Sequence, residues 1–160
     1  MSLPGLTPGL KGERRVMVTE SMTTSHAGGP GILTAPAMIM EMEITAQEVA
    51  QPFLPPDHTT VGYEICIRHR RPTPVGEWFS VAAELLEVEG RRLLFRVETH
   101  NAREKIGEGT LRRTIVRLGT LTRRASYSTE RTSKRRARNA SGSCASTSGV
   151  MSPTASRSWM

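Results

Sequence analysis

The chain has 160 residues, 37% apolar and 23% charged, enough for one globular domain with a sizeable core. No apolar run is long enough to cross a bilayer, no charged-then-apolar leader is visible in MSLPGLTPGLKGERR, and Cys66 and Cys144 make no disulfide framework, so the expectation is a cytoplasmic protein. The net charge of +7 belongs to the C-terminal quarter: residues 1–120 carry 14 Lys+Arg against 14 Asp+Glu, and residues 121–160 carry 8 Lys+Arg against Glu130 alone. The first 120 residues therefore offer no basic face on which to argue nucleic-acid binding.

In chain order, GERRVMVTE predicts a short strand around Val16 to Val18, followed by a glycine-rich loop, SMTTSHAGGPG. Residues 35–51, APAMIMEMEITAQEVAQ, lack Gly and are rich in Met, Ala, Glu and Gln, which predicts one long helix. Three prolines in PFLPPDHTT end it. The stretch TVGYEICIRHRRPTPVG then reads as a strand of period two. Val61, Tyr63, Ile65, Ile67 and His69 are expected on its core face, and Thr60, Gly62, Glu64, Cys66 and Arg68 on the other. The apolar row thus ends in an imidazole just before Pro72 and Pro74. EWFSVAAELLEVEG, RRLLFRVETHN and KIGEGTLRRTIVRL supply three further strands, joined by turns at Glu89-Gly90 and at residues 101–104.

One helix and four consecutive antiparallel strands, after one preceding strand, define an α+β domain over residues 1–120. The sheet is expected to wrap the helix, which offers Met38, Met42, Ala46 and Val49 at helical spacing with Ile39 beside them. Within that helix Glu41 and Glu43 stand among methionines and isoleucines. Burial of one of them at the helix–sheet junction would raise its pKa and prepare it for acid–base or nucleophilic work; the plainer reading shows both to solvent.

Residues 121–160 contain no Ile or Phe and one Leu, with no apolar period, and are expected to be disordered. The basic run Lys134-Arg135-Arg136-Ala137-Arg138 admits a nucleic-acid arm, yet no aromatic residue interleaves it for base stacking. No spacing of Cys and His predicts zinc or another metal, and GLKGE and GEGT are too short for a phosphate loop. His26, in the glycine-rich loop, is placed either over a ligand or in solvent.

LTAPAMIMEMEITAQ, PFLPPDHTTVGYEICIRHRRPTPVG and VEGRRLLFRVETHNAREKIGEGTLRR together resemble the hotdog-fold thioesterases of the fluoroacetyl-CoA thioesterase-like family, over about Gly9 to Val116. The resemblance implies a long helix wrapped by an antiparallel sheet, in a homodimer that binds acyl-CoA near the subunit interface, with no cofactor. It implies Glu43 as base or nucleophile and His69 as acid or oxyanion donor, with His69 facing the helix carboxylate. Gly62 matches a position whose backbone lies near the thioester carbonyl.

The chain departs from this pattern at the helix entry. Where the family has Thr-Pro, this sequence has Ala35-Pro36, with Thr34 one place earlier. Either Ala35 is a poor N-cap, or the helix starts one residue sooner, Thr34 caps it, and its hydroxyl approaches the site. Arg112 and Arg113 are expected either to meet the phosphates or pantetheine of CoA or to be surface arginines. Thioester hydrolysis asks for a carboxylate base or nucleophile and for oxyanion donors, which this set supplies. The alternatives are a hotdog protein that binds an acyl thioester without cleaving it, and nucleic-acid binding through the tail.

Overall fold

In a computed structural model that describes residues 3–26 and 28–123, five strands form one antiparallel sheet in the order β1-β5-β6-β7-β4. These are β1 (Lys11–Met17), β4 (His58–His69), β5 (Trp78–Glu89), β6 (Arg92–Asn101) and β7 (Lys105–Arg117). Helix α1 (Ala35–Ala50) packs on one face of the sheet. Met38, Met42 and Ala46 of the helix are fully buried against Val81, Leu85, Phe95, Val97 and Leu111 of the strands. This is the hotdog architecture, and Met1–Thr120 make one compact unit. The basic segment from residue 124 onward, expected to be disordered, lies outside the described residues.

The strands follow from period-two patterning. In β5 and β6 buried and open residues alternate along almost the whole length, so each shows one face to the helix and one outward. The outward face is polar and internally paired, with Glu84 accepting from Arg96 and Lys105 bridging Glu98 and Glu108. A two-residue ladder between β2 (Thr23–Thr24) and β3 (Ile32–Leu33) escapes sequence reading, being too short to show a period. It ties down both ends of the glycine-rich loop.

β4 departs from its predicted faces. Its register with β7 shifts between Gly62 and Glu64, so Tyr63 is an extra residue bulged out of the ladder. Gly62 stands opposite the buried Arg113 and Thr60 opposite the buried Ile115, while Ile65, Ile67 and His69 stand opposite Leu111, Gly109 and Gly107. The helix-facing row is therefore Thr60, Gly62, Ile65, Ile67, His69. Val61 and Tyr63, expected in that row, are not in it, because one bulged residue reverses the alternation. Tyr63 and Ile65 are each 49% exposed, since β4 is the edge of the sheet.

Thr34 resolves the helix entry. Its backbone is extended, its hydroxyl accepts from Ala37 N at 3.3 Å, and it donates to Met22 O at 3.1 Å. Ala35 and Pro36 are thus the first two helical residues, with proline where its missing N–H costs nothing. Thr34→Ala is expected to lower stability by about 1 kcal/mol, read as a drop in thermal midpoint. Ala35→Thr, one position inside the cap, should leave the midpoint within experimental error.

Candidate functional site

The two acids in the middle of α1, Glu41 and Glu43, diverge. Glu41 turns toward β1, where Arg14 Nε lies 3.3 Å from its Oε2. Glu43 turns toward β4 and β7, into the space that Gly62 leaves open. A Cβ built on Gly62 would stand 2.6 Å from Glu43 Oε2 and 2.8 Å from its Cδ, so only glycine admits the carboxylate here.

Beside it lies Arg113, only 4% exposed. Its Nη1 donates to Glu43 Oε2, its Nε donates to Thr60 Oγ1 at 2.9 Å, and its Nη2 donates to Thr60 O at 2.9 Å. Glu43 Oε1 is buried and accepts no hydrogen bond among the described residues. One helix carboxylate does sit at the helix–sheet junction, but ion-paired rather than left alone among apolar groups.

Arg113 was expected to reach CoA or open solvent; buried and committed on three sides, it does neither. Arg112, on the outward face, pairs with Glu64 at 3.2 Å. Thr60 was missed by sequence reading. The signal for Arg113 was present, since it occupies the same alternate row as Leu111 and Ile115.

His69 closes the helix-facing row of β4 at the other end. Its Nε2 is buried without a hydrogen-bond partner among the described residues. It lines a cavity of about 580 Å³ together with Thr34, Ala35 and Pro36 at the helix entry, and with His26 from the glycine-rich loop. Arg70 and Arg71 form one wall, paired with Glu108 and Glu104. Hydrogen bonds from Lys105 and Arg70 hold the Glu108 carboxyl below the usual carboxylate range. His26 is exposed and tied by Nδ1 to Thr24 Oγ1 at 2.6 Å.

The predicted pairing of His69 with the helix carboxylate does not occur within one chain. Glu43 stands over Gly62, and His69 lies seven residues further along β4, roughly 20 Å away at the ordinary strand rise. Period-two reading placed His69 on the right face but Gly62 on the other, and it carried no information about distance along the strand. Each chain thus carries two separate clusters: Glu43 with Gly62, Thr60 and Arg113, and His69 with Thr34, Ala35 and the cavity.

Cys66 is exposed on the outward face, and His58 pairs with Asp57 at 2.7 Å. Among the described residues no group of three or more His, Cys, Asp or Glu is arranged to hold a metal ion. No described helix is long and apolar enough to cross a membrane.

A single helix held in an antiparallel sheet, with a half-buried carboxylate on it and an open-ended cavity at its entry, places the chain among the hotdog thioesterase-like proteins. The family model described as fluoroacetyl-CoA-specific thioesterase matches residues 18–118, and the chain belongs to that family of thioester hydrolases. A fluoroacetyl-CoA thioesterase of Streptantibioticus cattleyicolor is 37% identical over 89 residues, which cover 56% of this chain and 64% of that protein, a little under two thirds of its length. A solved structure of the fluoroacetyl-CoA thioesterase FlK matches with a TM-score of 0.72 at 30% identity, covering 77% of this chain and 97% of that one. A Thermus thermophilus member of the thioesterase superfamily, 24% identical, has the same fold with a TM-score of 0.73 over 82% of this chain and 98% of its own.

Gly62→Ala is expected to push Glu43 off its place, at about 1–3 kcal/mol in stability, because the new methyl has no room beside the carboxylate. Chemical denaturation of the folded variant measures it. A change below about 0.5 kcal/mol would mean that the carboxylate moves aside at no cost.

Proposed function

We propose that the chain is a homodimeric acyl-CoA thioesterase that hydrolyses a small acyl-CoA to the free acid and CoA. The observation that carries the reading is the half-buried Glu43 carboxylate beside Gly62, with Oε2 ion-paired and the buried Oε1 without a partner among the described residues. Glu43 acts as base toward water or as nucleophile toward the thioester carbonyl, and His69 stabilises the oxyanion or protonates the departing thiolate. Family membership and the likeness to fluoroacetyl-CoA thioesterases support the substrate class.

The separation of the two clusters supports the dimer. β4 is a twelve-residue edge strand open on one side. A second copy pairing antiparallel along it continues the sheet, and residues directly opposite must share a face. Centring the pair on Cys66 sets Ile67 opposite the partner's Ile65 and His69 opposite the partner's bulge, beside the partner's Gly62 and Glu43. Each site then takes its carboxylate from one chain and its histidine, helix entry and cavity from the other. The same register puts Cys66 against its own copy on the outward face.

Binding without hydrolysis is the second reading, and one observation favours it. The Thr34 hydroxyl is occupied at both its donor and acceptor sides by the helix cap, and Ala35 has none to offer, so the helix entry supplies no free hydroxyl.

Free-thiol release across short, branched and aromatic acyl-CoAs decides between the two. Glu43→Gln and His69→Ala should each lower kcat by about a hundredfold or more without unfolding the protein. Mixing the two inactive variants under subunit exchange should restore up to about a quarter of wild-type activity, because half of the subunits pair as hybrids and each hybrid holds one intact site. No recovery on mixing would place both residues in one chain and sink the shared site. Mild oxidation should also yield a covalent dimer that Cys66→Ser abolishes. Removal of residues 121–160 should leave folding, dimerisation and turnover unchanged; loss of cooperative unfolding would instead make that segment part of the core.

A further inference from the structure

Arg113 stands in an unusual position for a guanidinium. It is 4% exposed and occupies a core-facing place on β7, in a row otherwise filled by Leu111 and Ile115. An apolar side chain there would avoid the cost of desolvating a charge, and buried ion pairs often add little to stability over apolar replacements. Stability is therefore a weak reason for its presence.

The geometry gives a better one. The guanidinium plane is held at two points by a single residue, Nε on Thr60 Oγ1 and Nη2 on Thr60 O, both at 2.9 Å. Thr60 is itself 3% exposed and fixed in the β4–β7 ladder opposite Ile115. With two of its edges held, the planar group has one direction left for Nη1, and that direction ends on Glu43 Oε2. The carboxylate cannot rotate to exchange its oxygens without breaking that bond. Gly62 bounds it on the sheet side. What remains is Oε1, buried and without a hydrogen-bond partner among the described residues.

We propose that Arg113, clamped by Thr60, is the positioning residue that fixes the Glu43 carboxylate over Gly62, with Oε2 engaged and Oε1 left for the reacting group. The assignment rests on the reading of Glu43 as the reacting carboxylate. Arg113 itself touches no substrate; its role is to orient. Lysine could supply the charge but not the fork, because a single ammonium cannot hold Thr60 at two points and Glu43 at a third in one plane. A misplacement of the carboxylate on the order of 1 Å is enough to cost about a hundredfold in rate.

The test compares Arg113→Lys, Arg113→Ala, Thr60→Val and Glu43→Gln in the full-length dimer, with kcat and KM for the best acyl-CoA. Arg113→Lys is expected to lower kcat by about ten- to a hundredfold with KM changed less than about threefold. Thr60→Val should lower kcat in the same way by a smaller factor. Guanidinium ion, added well below denaturing concentrations, should restore part of the kcat of Arg113→Ala and none of that of Glu43→Gln. The double variant Glu43→Gln, Arg113→Lys should be no slower than Glu43→Gln alone, since a residue acting through Glu43 has nothing left to orient.

If Arg113→Ala does not fold, the lysine and Thr60 variants decide. An Arg113→Lys enzyme within about twofold of wild type, while Glu43→Gln is inactive, overturns the positioning role and leaves the reading of Glu43 intact. So does a loss confined to KM, or a further loss in the double variant. An active Glu43→Gln, or a wild type inactive on every thioester, overturns the reading of the site and this inference with it.

Discussion

The close approach of α1 to the sheet is the constraint on which the rest depends. Three strands place glycine beneath the helix: Gly12 of β1 under Val49, Gly62 of β4 under Glu43, and Gly107 of β7 under Met38. A Cβ at any of them would stand within 2.6–2.8 Å of a helix side-chain atom. Packing this tight favours partners within the protein for the polar groups at the contact. Thr99 Oγ1 meets Met38 Sδ at 3.4 Å, and Glu43 meets Arg113. The carboxylate is thus a consequence of the packing as much as an addition to it: glycine makes the space, and the arginine makes the space habitable for a charge.

The same packing divides the chemistry. Helix α1 crosses from the end of β4 that carries His69 toward the end that carries Gly62, and its entry and its carboxylate come to opposite ends of one edge strand. Within one chain, then, Glu43 with Arg113 and His69 with its cavity stay apart.

Much of this was legible before any coordinates. The Gly-free, Met-rich stretch from Ala35 marked the helix, and the alternation in Trp78–Glu89 and Arg92–Asn101 marked strands that run almost without interruption. Glu43 and His69 stood out because each breaks an apolar neighbourhood. What was lost has a physical cause in each case. Val61 and Tyr63 were assigned to the wrong row because a bulge leaves no mark in residue type. Arg113 was taken for a ligand-facing or surface cation because an arginine beside another arginine reads as solvated, although Leu111 and Ile115 two places to either side gave its row away. The helix entry was ambiguous between Thr34 and Ala35 because the choice depends on Met22 O, a partner twelve residues earlier in the chain.

The bulge at Tyr63 also bears on which strands the edge of β4 refuses. A straight edge of twelve residues, with apolar side chains on one face, would accept almost any extended segment and so invite misassembly during synthesis. The extra residue twists and interrupts that ladder, so a regular strand can follow it on one side of Tyr63 but not through it. Glu64 and Arg68, exposed on the outward face, add a charge pattern that a foreign apolar strand would not answer. A regular partner strand must therefore stop near Tyr63 rather than run past it. A feature that leaves no mark in residue type thus limits which strands the open edge of β4 can accept.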